Sequence, residues 1–248
     1  MIYEEYGNTA GEILLFIHGG GVGAWMWQQQ IPYFSVDFHI LVPTLQGHGA
    51  RSGDSGFSIR ENAEEMLALL AQKDFGKPIH IAGFSIGAQV CLEMIHLAPD
   101  FFHSAMINSA LVKPMKYAVP FIKPMIRLTY PLIKNRQFAR IQARQLYVNE
   151  EYFESYYATS KKMKSGTLTE MLQENLAYSL PENLAGSTTR LLATVGTKET
   201  RQVKESAALL SRLPGSQSIL ISDMGHGFPV AQPDAFNRLL SRWLQNSL

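Results

Sequence analysis

One cysteine, Cys91, stands among 248 residues. A lone thiol forms no internal disulfide and supplies no cysteine-rich metal site, so the sequence points to a reducing, cytoplasmic setting. No cluster of His, Cys, Asp and Glu shows ligand spacing, and no metal is expected. Charge is also scarce. Asp, Glu, Lys and Arg make up 17% of the chain and nearly cancel to +1, which argues against nucleic acid as a partner. No apolar run reaches the roughly 18 residues that a membrane-spanning helix needs. Met1-Ile2-Tyr3-Glu4-Glu5 lacks the basic and then apolar pattern of a secretory leader. The glycines at 19–21 fit neither G-x-x-x-x-G-K-S/T nor G-x-G-x-x-G, so no nucleotide cofactor is expected. What remains is a chain 46% hydrophobic, long enough for one large core.

Six short apolar runs punctuate it: 13–17, 39–43, 79–82, 105–107, 191–195 and 218–221. Nearly continuous apolar runs of this length read as strands buried on both faces, as in a parallel sheet. Helical patterns lie between them. Ser58 and Glu61 form a capping box ahead of Ile59, Ala63, Met66, Leu67 and Leu70. A helix follows over about 86–97, stopped by Pro99. Val203, Ala207 and Leu210 mark another, and Phe236, Leu239, Leu240, Trp243 and Leu244 form a stripe at i, i+3, i+4, i+7 and i+8. The alternation predicts an α/β core with a mostly parallel sheet flanked by helices. Between 111 and 185 it fails. That stretch opens with Pro114, Pro120, Pro124 and Pro131 and continues with helical patterns, among them a second capping box at Thr167 and Glu170, and is expected to be a helical insertion.

Gly83-Phe84-Ser85-Ile86-Gly87 is a G-x-S-x-G motif. A strand-like run precedes it and a helical pattern follows, which is the setting in which a sharp turn exposes a serine hydroxyl. A new helix would aim its N-terminus at that hydroxyl and favour developing negative charge. His18-Gly19-Gly20-Gly21 ends the first apolar run. Consecutive glycines leave peptide N–H groups accessible, as an oxyanion hole requires. A nucleophilic serine also needs a base and a group that orients it. Of seven histidines, His18 and His48 read as turn elements, while His39, His80, His96 and His103 lie in or beside apolar runs. His226, in a loop between the last apolar run and the last helix, is the base candidate by elimination and position. Glu199, just beyond the run 191–195, is the preferred acid, with Asp223 as its rival.

In this order, Ser85, then Glu199, then His226, the chain resembles the α/β-hydrolase superfamily, in particular its small esterase and lipase-like members. The glycine turn, Pro43-Thr44-Leu45-Gln46-Gly47-His48-Gly49, the serine motif and the final histidine loop carry the resemblance. It implies a core from 1–110 and 186–248, with 111–185 as a helical cap or lid. It departs from the family at the acid, where aspartate is usual. Implied is a serine hydrolase acting on a carboxylic ester or thioester of a small molecule, with oxyanion donors from Gly20 or Gly21 and Ile86. A lyase or a slow-turnover binding member of the same fold is the alternative.

The stretch from Val112 to Asn149 holds eight lysines and arginines and no Asp or Glu, interleaved with methionines and aromatics. The apolar residues are expected to wall a hydrophobic acyl pocket. The charges read first as a solvated outer face, and second as contacts to an anionic membrane surface.

Overall fold

The computed structural model describes residues 1–73 and 76–248. Seven strands form one sheet: β1 (Ile2–Gly7), β2 (Glu12–Ile17), β3 (Phe38–Thr44), β4 (Ile79–Phe84), β5 (Ser104–Asn108), β6 (Arg190–Gly196) and β7 (Ser216–Ile221). Their spatial order is β1-β3-β2-β4-β5-β6-β7, with β1 antiparallel to β3 and every other pair parallel. All six apolar runs are strands. The seventh, β1, escapes the pattern because it reads Ile-Tyr-Glu-Glu-Tyr-Gly and is mostly exposed. An edge strand with one neighbour has no need of a continuous apolar run.

Ten helices accompany the sheet among the described residues: α1 (Ile31–Phe34), α2 (Ile59–Lys73), α3 (Ile86–Leu97), α4 (Val119–Ile133), α5 (Arg136–Gln145), α6 (Glu150–Ser160), α7 (Ser165–Ala177), α8 (Arg201–Leu210), α9 (Phe228–Ala231) and α10 (Pro233–Leu244). Successive side chains of a strand point to opposite faces, and the core divides accordingly. Ile13, Leu15 and Ile17 of β2 pack with Met66 of α2, Val90 of α3 and Leu210 of α8. Leu14 and Phe16 point the other way, toward Trp27, Phe228 and the Phe236, Leu240 and Trp243 stripe of α10. Trp27 stacks on Phe16 with ring centroids 4.8 Å apart, so this tryptophan is core.

The chain between β5 and β6 holds α4 to α7 and no strand. α4 runs through Pro124 and Pro131. Each removes a peptide N–H, and both prolines sit on the exposed side of the helix. Ser58 caps α2 as expected, its Oγ accepting from Glu61 N–H at 3.3 Å. The second capping box does not form. α7 begins at Ser165, with Lys164 at the N-cap. Thr167 is buried inside the first turn, where its methyl occupies the space that a Cβ on Gly47 would need. That burial goes with a helix start three residues early.

Candidate active site

β4 ends at Phe84 and α3 begins at Ile86, so Ser85 alone makes the turn, at φ 55° and ψ −118°. Positive φ is costly for a residue with a Cβ. Its neighbours hold it there. Ser85 N–H donates to Asn108 O at 2.8 Å. A Cβ on Gly83 would lie 2.5 Å from Gly87 O and 2.6 Å from Cys91 Sγ, and one on Gly87 would lie 2.4 Å from His18 O. Both glycines are therefore required by the close approach of strand and helix.

Two loops at the C-terminal edge of the sheet meet this serine. β7 leads into Asp223-Met224-Gly225-His226-Gly227, and His226 Nε2 lies 2.9 Å from Ser85 Oγ. β6 leads into Thr197-Lys198-Glu199, and Glu199 Oε2 lies 2.9 Å from His226 Nδ1. A carboxylate only accepts, so Nδ1 carries the imidazole proton and Nε2 is left to accept from the serine hydroxyl. Burial acts to raise the Glu199 carboxyl, but hydrogen bonds from His226, Ser109 Oγ and Gly196 N–H outweigh it and hold the group below the usual carboxylate range. Asp223 lies apart. It is exposed, 3.6 Å from Lys198 Nζ. The Ser85, His226 and Glu199 side chains lie beyond the C-terminal ends of parallel strands, where the strand order reverses around β2 and β4. Ligands bind α/β sheets at such a switch point.

A model of the family described as "Alpha/beta hydrolase family" matches residues 14–239. The chain belongs to that family. Among curated proteins it is 26% identical to "Putative carbamate hydrolase RutD" of Pantoea ananatis, covering 99% of this chain and 93% of the relative. It is 24% identical to the pimeloyl-(acyl-carrier protein) methyl ester esterase of Yersinia enterocolitica, covering 98% of each. Among solved structures, the enol-lactonase of Burkholderia xenovorans superposes with a TM-score of 0.82 at 15% identity, over 98% of this chain and 96% of that one.

Several residues of this hydrolase act in ways that the sequence does not reveal. Ser109 sits at φ 57° and donates from Oγ to Glu199 Oε1 at 2.5 Å. His18 and His48 are fully buried beside each other. His18 Nδ1–H donates to Gly19 O, and its Nε2 accepts from Leu45 N–H. His48 Nδ1–H donates to Gln46 O, and its Nε2 accepts from Gly21 N–H at 3.0 Å. Burial lowers their pKa values to about 3 and about 4. The Gly21 contact corrects one expectation. That N–H is already spent on His48, so the oxyanion candidates narrow to Gly20 and Ile86. Ile86 opens α3, and its N–H has no intrahelical acceptor.

The insertion reaches these loops directly. Met171 of α7 covers Gly20, and the Leu146-Tyr147 turn presses on Gly227 and Gly225, on either side of His226. A cavity of about 410 Å³ extends from Gly20 and Gly21 into the insertion, walled mainly by apolar side chains such as Ile126, Ile133, Leu146 and Met171. Tyr156 and Ser160 bring buried hydroxyls to its wall, and burial pushes the Tyr156 phenol up to about 12. Trp25 packs edge-on to Tyr156 and stacks near Tyr152, so it braces the wall. Among the described residues no group of His, Cys, Asp or Glu is arranged to hold a metal ion, and no helix is long and apolar enough to cross a membrane.

Proposed function

We propose that the protein hydrolyses a carboxylic ester or thioester with a hydrophobic acyl group, using Ser85 as nucleophile, His226 as base and Glu199 as the orienting acid. The reading rests on one observation: the chain of two 2.9 Å contacts from Ser85 through His226 to Glu199. Ser85 Oγ attacks the carbonyl carbon as its proton passes to His226 Nε2. Glu199 keeps the ring oriented and balances the imidazolium. Gly20 and Ile86 N–H groups receive the oxyanion, where loss of one donor costs about 3 kcal/mol. Collapse expels the alcohol or thiol, which takes the proton from His226. Water then attacks the acyl-enzyme with His226 again as base, and the carboxylic acid leaves.

The relatives named for a carbamate, a methyl ester and an enol lactone share the same kind of bond, an acyl carbon joined to a heteroatom. The insertion would serve as a lid, with the 410 Å³ cavity taking the acyl chain. Its wall is mostly apolar, so turnover should rise from acetyl to medium-chain esters. A fluorophosphonate probe tests the nucleophile: wild type labels and Ser85→Ala does not. Equal labelling of the two would remove Ser85 from the mechanism. An acetate-first or flat chain-length profile would remove the acyl assignment while leaving the nucleophile standing.

A further inference from the structure

α4 has two apolar faces, and only one is covered. Ile122, Ile126 and Ile133 are buried inward. On the outside, Phe121 is 69% exposed, Met125 44%, Leu128 79% and Leu132 45%, with Tyr117 just ahead of the helix at 70%. These five residues are spaced by four, four, three and four positions, so they stack turn upon turn in one stripe. At 1.5 Å per residue the helix extends roughly 22 Å. Single exposed apolar side chains are ordinary, but a continuous stripe of large ones marks a contact surface.

The stretch itself carries charge of one sign, and Glu170 of α7 shares a groove with Lys123 and Arg127. From Lys113 to Asn149 the chain has no Asp or Glu. Lys113, Arg136 and Arg140 pair with acids elsewhere. Lys116, Lys123, Arg127 and Lys134 are exposed, with no ion pair among the described residues, and Lys123 and Arg127 adjoin the Leu128 edge of the stripe across Pro120 and Pro124. An apolar stripe with unpaired cations along one side matches an amphipathic helix lying in a lipid headgroup layer. A second copy fits poorly, because pairing the face with itself would set these cations against their own kind.

We propose that the outer face of α4 docks on an anionic bilayer surface. Phe121 and Leu128 enter the acyl boundary, while Lys116, Lys123, Arg127 and Lys134 meet lipid phosphates. The same helix walls the cavity through Ile126 and Ile133, so an apolar molecule in the bilayer lies one helix away from it. Docking is read without turnover, and it stands or falls separately from the catalytic assignment.

The test is co-sedimentation of the full chain with phosphatidylcholine vesicles, with and without phosphatidylglycerol. Wild type should partition to the vesicles that contain phosphatidylglycerol and be released by high salt. Each basic residue near an anionic surface contributes about fivefold, so Lys123→Gln with Arg127→Gln should lower partitioning about 30-fold. Phe121→Ser with Leu128→Ser should abolish it. Circular dichroism and the thermal midpoint serve as the folding control for both pairs. No binding of wild type to anionic vesicles would overturn the proposal, as would wild-type binding by both variants. Light scattering that shows a wild-type dimer, dissociated by Phe121→Ser with Leu128→Ser, would assign the face to a second copy instead.

Discussion

Glu199 is one methylene longer than the aspartate usual in this family, and both of its oxygens are used. Oε2 faces His226, while Oε1 accepts from Ser109 Oγ and Gly196 N–H. An amide at this position would present a donor where one of these groups also donates, and would favour the wrong imidazole tautomer. Glu199→Gln should therefore lower kcat by about three to four orders of magnitude with the fold intact. Asp223→Asn, beside Lys198 on the surface, should change it less than about twofold, because its charge is solvated. Ester kinetics with circular dichroism check both. A large loss in Asp223→Asn and none in Glu199→Gln would transfer the acid role. The meeting of Ser85, His226 and Glu199 was legible because each follows a strand-like run. Ser109 was not, since nothing local announces a non-glycine residue at φ 57° whose partner lies 90 positions away.

At the scale of elements, the packing of α3 on β2 explains why a good helix former is excluded from the elbow. Gly87→Ala would gain up to about 1 kcal/mol of helix propensity. Its Cβ would also fall 2.4 Å from His18 O and 2.5 Å from Ile17 O. Those are backbone atoms of the sheet and its exit, and neither can rotate away. The clash, about 3 kcal/mol, should win by about 2 kcal/mol, seen as a fall in the thermal midpoint. A midpoint at or above wild type would mean that α3 can shift freely. The buried strands and the helices packed on them were legible because period and burial coincide. β1 lacked that signal, being mostly exposed and paired on one side only. The Thr167 and Glu170 pattern misled because a tertiary contact with Gly47, 120 positions back, decides where α7 starts.

Across the whole molecule, His18 and His48 tie stability to pH. An unfolded histidine takes its proton near 6.5, while the folded pair resists down to about 4 for His48 and about 3 for His18. Both Nε2 lone pairs already accept peptide N–H groups. Below pH 6.5 the unfolded chain thus binds protons that the folded chain refuses, and stability falls as pH drops toward 4. At about 1.4 kcal/mol per unit for each ring, the loss between pH 6.5 and pH 5 is up to about 4 kcal/mol. Urea midpoints at about pH 7 and about pH 5 measure it, and equal midpoints would contradict it. The sequence showed two histidines beside glycines and suggested turns. Their coupling across 30 positions emerges only when β2 and β3 lie side by side.

The protein's one sulfhydryl lies under the elbow, at no measurable exposure, with burial pushing its pKa up. A maleimide or disulfide reagent therefore meets no reactive partner on the native surface. If such an electrophile inactivates the enzyme, the lesion records that strand and helix have parted around Gly83, and its rate reports the population of the open form, or the opening rate itself when labelling outpaces reclosing. Thiol sensitivity in this molecule would be a clock for structural breathing, and no sign of a cysteine mechanism.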